Sequence, residues 1–229
     1  MRERTLDILE AGIRQYIETG EPITSDRIYQ EYDFGIKPAM IRCELSELDE
    51  AGFLEQNHPS GGRQPTSEAY RFFVDRLLEQ EAKVRRMAAV QSLARELRVG
   101  RRERMVRDLA HVLDVLGVGY TPRGRELYQS EISNFLSRLD VGVKDDIIRV
   151  IEDIESFPSR LGKMRSWNQE SSWPKVFVGE SPITRSEHLS VVAGKYTSAG
   201  ETFYLFAIGP IRMDYTKSID MFRSLSEFS

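Results

Sequence analysis

The chain has 229 residues, 40% of them hydrophobic and 30% charged, with a formal net charge of −4. That length and apolar content suit one large domain or two small ones with packed cores, and exclude disordered, collagen-like and low-complexity chains. No apolar run approaches the ~20 residues that span a bilayer, Met1–Asp7 carries no signal-peptide pattern, and one cysteine (Cys43) with three scattered histidines excludes a disulfide framework and metal-ligand spacing, so a cytoplasmic protein without membrane, cofactor or metal is expected.

Taken in chain order, residues 4–19 predict a helix, with Leu6, Leu9, Ile13 and Tyr16 inward and Gly20 as its stop. Thr24 or Ser25 caps a short second helix containing Ile28, Tyr29 and Tyr32, which ends before Gly35. Pro38 opens a third helix that runs to about Ala51, with Ile41, Leu45 and Leu48 inward and Gly52 at its end. The period then changes. Residues 53–56 read as a short strand, 57–62 as a turn, and 63–66 as a returning edge strand marked by Pro65. A helix resumes at Ser67 through Tyr70, Phe73, Val74 and Leu77. Three helices, a hairpin and a helix are the order of a winged helix-turn-helix.

Residues 76–116 stay helical with a break at Val99-Gly100. The segment 117–124 reads as a loop, followed by helices over 126–138 and 144–156. Strands are expected over 176–178, 189–196 and 202–208, with Gly209-Pro210 as a break and a closing helix over 215–225 that Asp214 caps. The fold class is therefore α+β.

A helix-turn-helix lays its second helix in the major groove with the N-terminal residues at base edges. That places Lys37, Pro38, Ala39, Met40, Arg42 and Cys43 nearest the bases, with Arg42 the candidate for a bidentate guanine or a phosphate contact. Thr24 and Ser25 suit a phosphate at the start of the preceding helix. In the wing, His58, Ser60, Gly61 and Gly62 allow close approach to the sugar-phosphate chain, and Arg63 is the expected minor-groove or phosphate contact.

The charge distribution pulls two ways. Residues 1–75 hold 8 basic and 15 acidic side chains, −7 in all, and 76–125 hold 12 and 6, giving +6. An acidic N-terminal segment weighs against phosphate binding, although Glu44, Glu47, Asp49 and Glu50 lie toward the C-terminal half of the third helix, pointing away from a groove. Two rivals stay open: a winged-helix regulator with a small effector, and a protein-interaction module without DNA readout. Arg95, Arg98, Arg101, Arg102, Arg104 and Arg107 form a basic cluster that either touches flanking phosphates or is a solvated face. No nucleophile, acid pair or phosphate-binding loop suggests an enzyme.

Several stretches resemble the HrcA family, the bacterial heat-inducible transcription repressors. They are Thr19-Gly20-Glu21-Pro22-Ile23-Thr24-Ser25, Ala39 to Leu45, Leu48 to Gln56, and the most specific piece, His58-Pro59-Ser60-Gly61-Gly62-Arg63-Gln64-Pro65-Thr66. Tyr70 to Asp75 and, near the far end, Gly209-Pro210-Ile211-Arg212-Met213-Asp214-Tyr215 are similar too. The resemblance implies a homodimeric repressor on an inverted-repeat operator of double-stranded DNA upstream of chaperone genes, with the chaperonin as a further partner. It also implies three parts: a winged helix over 1–78, a basic helical connector with a role in dimerisation over 79–118, and a truncated GAF-like domain over 119–229. Position 43 departs from the family, with Cys in place of the usual Asn. The chain is also shorter than the family's usual length, which implies loss of early GAF-like strands and of an inserted dimerisation segment. A small core centred on 173–225 is expected to remain.

Overall fold

The computed structural model describes residues 1–56, 61–80, 88–136, 144–161 and 173–228. The chain divides into two compact units, Met1–Glu79 and Gln80–Ser229.

The first unit holds α1 (Glu3–Thr19), α2 (Ser25–Glu31), α3 (Pro38–Glu50), a two-residue ribbon of β1 (Leu54–Glu55) and β2 (Gln64–Pro65), and α4 (Ser67–Glu79). Gly20 ends α1 in the left-handed region at φ 70°, donating its N–H to the Tyr16 carbonyl. The buried stripe of α1 is Ile8, Leu9 and Ile13; Leu6 and Tyr16 lie at its margins, half-buried rather than inward. On α3 the expected triplet Ile41, Leu45 and Leu48 is buried, and on α4 Tyr70, Phe73, Val74 and Leu77 complete the core. On α2, Ser25 and Ile28 turn inward, and the next residue along the helix falls about 100° away, leaving Tyr29 exposed.

The second unit is built on a five-stranded antiparallel sheet, in the order β4-β3-β7-β6-β5. Its strands are β3 (Leu116–Thr121), β4 (Glu126–Gln129), β5 (Lys175–Val178), β6 (Leu189–Ser198) and β7 (Glu201–Pro210). The helices are α5 (Ala88–Val99), α6 (Arg102–Leu113), α7 (Ile132–Leu136), α8 (Lys144–Leu161) and α9 (Tyr215–Ser226). β6 and β7 form one long hairpin that turns at Ala199-Gly200, both at positive φ.

Alternate residues of these strands face two different helical layers. Leu116, Val118, Val191, Ala193, Tyr204, Phe206 and Ile208 pack with Phe135 of α7 and with Val150, Ile154, Phe157 and Leu161 of α8. On the other face the Ser190 hydroxyl meets the Tyr215 hydroxyl at 2.7 Å, and the Tyr196 hydroxyl donates to the Phe222 carbonyl, both on α9. The sheet is therefore covered on both sides, a larger core than the 173–225 segment alone would form. The apolar faces of α5 and α6 (Val90, Leu93, Leu97, Met105, Val106, Leu109) are buried within this unit. Asp214 caps α9 as expected, its Oδ1 accepting from the Lys217 N–H at 2.9 Å.

Two expectations for the middle of the chain are overturned. Within 117–124 only 122–124 turn; 117–121 are strand, and Gly117 and Gly119 lie in β3 where α6 crosses. A Cβ on Gly117 would stand 2.5 Å from the Val106 carbonyl oxygen, and one on Gly119 2.5 Å from the Phe203 ring. Residues 126–138 are not one helix either, since Glu126–Gln129 pairs with β3 and only Ile132–Leu136 coils.

Asp153 of α8 organises the segment leading into β6. Its buried carboxylate accepts the N–H groups of Arg185 (2.8 Å) and Ser186 (3.1 Å) and pairs with the Arg160 guanidinium. Asp153→Ala should lower the stability of the second unit by about 3 kcal/mol, because it leaves a mostly buried guanidinium without its counter-charge. Trp173 belongs to this unit, and residues 1–79 contain no tryptophan. Urea denaturation followed by tryptophan fluorescence is therefore the measurement, and an unchanged midpoint would contradict the assignment.

Candidate nucleic-acid interface

The candidate surface is the N-terminal half of α3. Ile41, Leu45 and Leu48 occupy the inner side of that helix, which turns Arg42 and Cys43 outward. Lys37, Ala39, Met40, Arg42 and Cys43 are exposed and Pro38, at the first helical position, is half-buried. Met40 leaves 49% of its surface in solvent, an apolar group of the kind that contacts a thymine methyl. No acidic side chain lies between Lys37 and Cys43.

The four acids of α3 follow that stretch, and arginines hold three of them. Glu44 is buried: its carboxylate accepts from Thr5 Oγ1 at 2.6 Å and from Arg4 at 2.8 Å, with Arg2 at 3.3 Å. Burial by itself would raise the Glu44 pKa. The hydrogen bonds from Thr5 and Arg4 and the charges of Arg2 and Arg4 outweigh it, holding the carboxyl below its ordinary range. Glu47 pairs with Arg2 at 2.8 Å and Asp49 with Arg63 at 3.5 Å, while Glu50 is exposed. On the far side of the unit Arg76 gathers Glu10 (2.7 Å), Glu3 (3.1 Å) and Asp7 (3.7 Å). Much of the acidic excess of residues 1–75 is thus tied up in arginine contacts, away from Lys37–Cys43.

Of the residues at the start of α2, Thr24 is exposed and caps the helix by accepting from the Arg27 N–H at 3.3 Å, which leaves its own O–H free to donate. Ser25 is buried, with 7% of its surface exposed, and does not present a hydroxyl to a ligand as Thr24 does.

The ribbon is placed by the chain just before α2. Ile23 and Arg63 exchange backbone hydrogen bonds at 2.7 and 2.9 Å. Gly61 is exposed, but Gly62 sits against that bridge, where a Cβ would meet the Ile23 carbonyl oxygen and the Pro22 Cβ at 2.7 Å each. The smallness of Gly62 serves packing within the protein. The Arg63 side chain, 14% exposed, turns to α3 and donates to Ser46 Oγ at 3.0 Å beside Asp49. His58 and Ser60 lie outside the described residues. Tyr29 of α2, 51% in solvent, is an exposed aromatic of the first unit.

Residues 64–219 match the sequence model of the HrcA protein C terminal domain. The chain belongs to the HrcA family. Among its relatives, the heat-inducible transcription repressor HrcA of Clostridium acetobutylicum is 49% identical over 79 residues, 34% of this chain and 23% of that protein. HrcA of Desulfitobacterium hafniense is 46% identical over 82 residues, 36% of this chain and 24% of that one. The matches thus span about a quarter of those relatives' length. A crystal structure of a hypothetical protein at 2.2 Å resolution shares the fold, with a TM-score of 0.76 at 14% identity over 100% of this chain and 98% of that one.

In this HrcA-family chain the Glu44 cluster yields a pH signature. A carboxyl whose folded pKa is depressed contributes stability in full above its unfolded value of about 4.3, and the contribution is lost as pH falls through the folded pKa. Glu44→Gln should cost about 1–3 kcal/mol at neutral pH. The gap from wild type should stay constant in mild acid and close below about pH 4. Denaturation followed by helical circular dichroism across that range checks this; a gap that widens in acid contradicts it.

Proposed function

We propose that this chain is a DNA-binding transcriptional repressor whose first unit works as a winged helix-turn-helix, with α3 lying in the major groove. The observation that carries this is the acid-free outer face of α3 at Lys37, Ala39, Met40, Arg42 and Cys43, with Glu44, Glu47 and Asp49 of the same helix held by arginines. A surface facing a polyanion needs that sorting of charge. Thr24 suits a flanking phosphate, and the Gly61 edge of the ribbon suits the neighbouring sugar-phosphate chain. Arg63 acts here as a positioning residue that ties the ribbon to α3.

The relatives named as heat-inducible transcription repressors support the finer reading. The chain acts as a homodimer on an inverted-repeat operator of chaperone genes in the cytoplasm, two copies matching two half-sites. In this plan 1–78 read DNA and 79–229 form one shortened GAF-like unit that includes the helices of 79–118, whose outer sides, not their buried apolar faces, are left for pairing. The chaperonin is a partner on family resemblance. Repression works by occlusion: a bound dimer covers the promoter.

Fluorescence anisotropy with a duplex carrying the family's inverted repeat, against a scrambled duplex at two salt concentrations, tests the proposal. Binding should favour the repeat and saturate at two chains per duplex; equal or absent binding overturns it. Arg42→Ala should cost about 1–3 kcal/mol on the repeat and relax specificity at one base pair. Arg63→Ala should weaken binding with the salt slope unchanged, as expected for a side chain directed at Ser46 and Asp49 and not at a phosphate. A flattened slope in Arg63→Ala would show a direct phosphate contact instead.

A further inference from the structure

Helices α5 and α6 bury their apolar sides against the sheet unit and turn a basic side outward. Arg95 and Arg98 on α5, Arg101 at the junction, and Arg104 and Arg107 on α6 are all exposed. Arg102, one step out of phase, is not part of this face. Its side chain is 11% exposed and donates to the Ser198 carbonyl at 3.2 Å and to Glu201 at 2.8 Å, beside Glu126. The three acids of the two helices do little to balance the five arginines. Glu96 is 4% exposed, with Arg101 at 3.7 Å and Arg104 at 3.9 Å, and Asp108 sits 3.7 Å from Arg104. That leaves Glu103 as the exposed acid. Arg95 and Arg107 form no ion pair with a described residue.

Other helices of the chain mix their signs. The exposed side of α4 carries Glu68, Arg71 and Asp75, and the half-buried margin of α9 carries Lys217, Asp220 and Arg223. A face kept only for solubility would be mixed in the same way. Arginines at three-residue steps (95 and 98 on α5; 101 at the junction, 104 and 107 on α6) share one side of each helix, with Cβ atoms about 5–6 Å apart within a helix. Arginine binds phosphate oxygens through two parallel N–H groups, and duplex DNA presents one charge per ~1.7 Å of axis. Only residues 80–87 separate α4 from α5 in the sequence, and so short a tether makes a second contact on the same duplex effectively intramolecular.

We propose that this arginine face is a second, sequence-independent contact that grips phosphates of the DNA flanking the site read by the first unit. It rests on the reading of that unit as a DNA binder. The test uses the full chain on two duplexes, one just long enough for the inverted repeat and one extended on both sides by unrelated sequence. Wild type should bind the extended duplex more tightly. The Arg95→Gln/Arg107→Gln double variant, which disturbs no described ion pair, should lose that gain. Its slope of log K against log salt should fall by roughly 0.9 per contact, about 1.8 for the pair. Its preference for the repeat over a scrambled duplex should be unchanged, and the Arg95→Lys/Arg107→Lys variant should restore most of the slope. Arg42→Ala should behave in the opposite way, losing the preference and keeping the gain from extension.

If wild type and the double Gln variant gain equally from extension, or neither gains, the proposal is overturned. If duplex binding depends on Arg95 and Arg107 yet shows no preference for the repeat, this face stands and base reading by the first unit falls.

Discussion

A helix that meets a polyanion cannot leave its carboxylates on the meeting side, and α3 carries four of them within thirteen residues. The first unit resolves this by sorting. Glu44 is drawn inward to Thr5 and Arg4, Glu47 is matched to Arg2, and Asp49 is matched to Arg63. The arginines involved come from the chain's start and from the ribbon, so the same contacts that remove charge from α3 also hold α1 and the ribbon against it. The electrostatics of the candidate interface and the packing of its support are one arrangement. For this reason a net charge of −7 over residues 1–75 is a poor guide to what the outer face of α3 presents.

The second unit follows a different constraint. A sheet with apolar side chains on both faces needs two helical layers, and the chain supplies them from both sides of the strands in sequence: α5 and α6 before β3, α7 and α8 between β4 and β5, and α9 after β7. Close approach of α6 to β3 is possible only because Gly117 and Gly119 have no side chains there. With one side of α5 and α6 committed to the sheet, their outward arginines are available for work outside the unit.

Legibility in the sequence tracked how local each cause was. The inward residues of α3 were readable because one helical period separates Ile41, Leu45 and Leu48 from their neighbours, and Asp214 was readable as a cap because capping acts within one turn. Gly117 and Gly119 were misread because glycine marks both loops and tight helix–strand crossings, and only a distant partner, α6, tells the two apart. Arg63 and Arg102 carry the same charge as their exposed neighbours; what draws them inward are Ser46 and Asp49 in one case and Ser198 and Glu201 in the other, residues that no spacing rule connects to them. Of the acids of α3, Glu44 and Glu47 are specifically paired, but their partners Arg2 and Arg4 lie some forty residues earlier, beyond the reach of any helical spacing rule.

The bridge between Ile23 and Arg63 has a consequence for genetics. A Cβ on Gly12 would press on the Ile23 side chain and one on Gly62 on its carbonyl oxygen, so α1, the approach to α2 and the ribbon all converge on one residue. A screen for variants that lose the function proposed for the first unit would recover changes at Gly12 and Gly62 beside changes on the outer face of α3, with indistinguishable phenotypes. The two glycines would be scored as part of the candidate interface, although the lesion is a wedge driven between three parts of the fold.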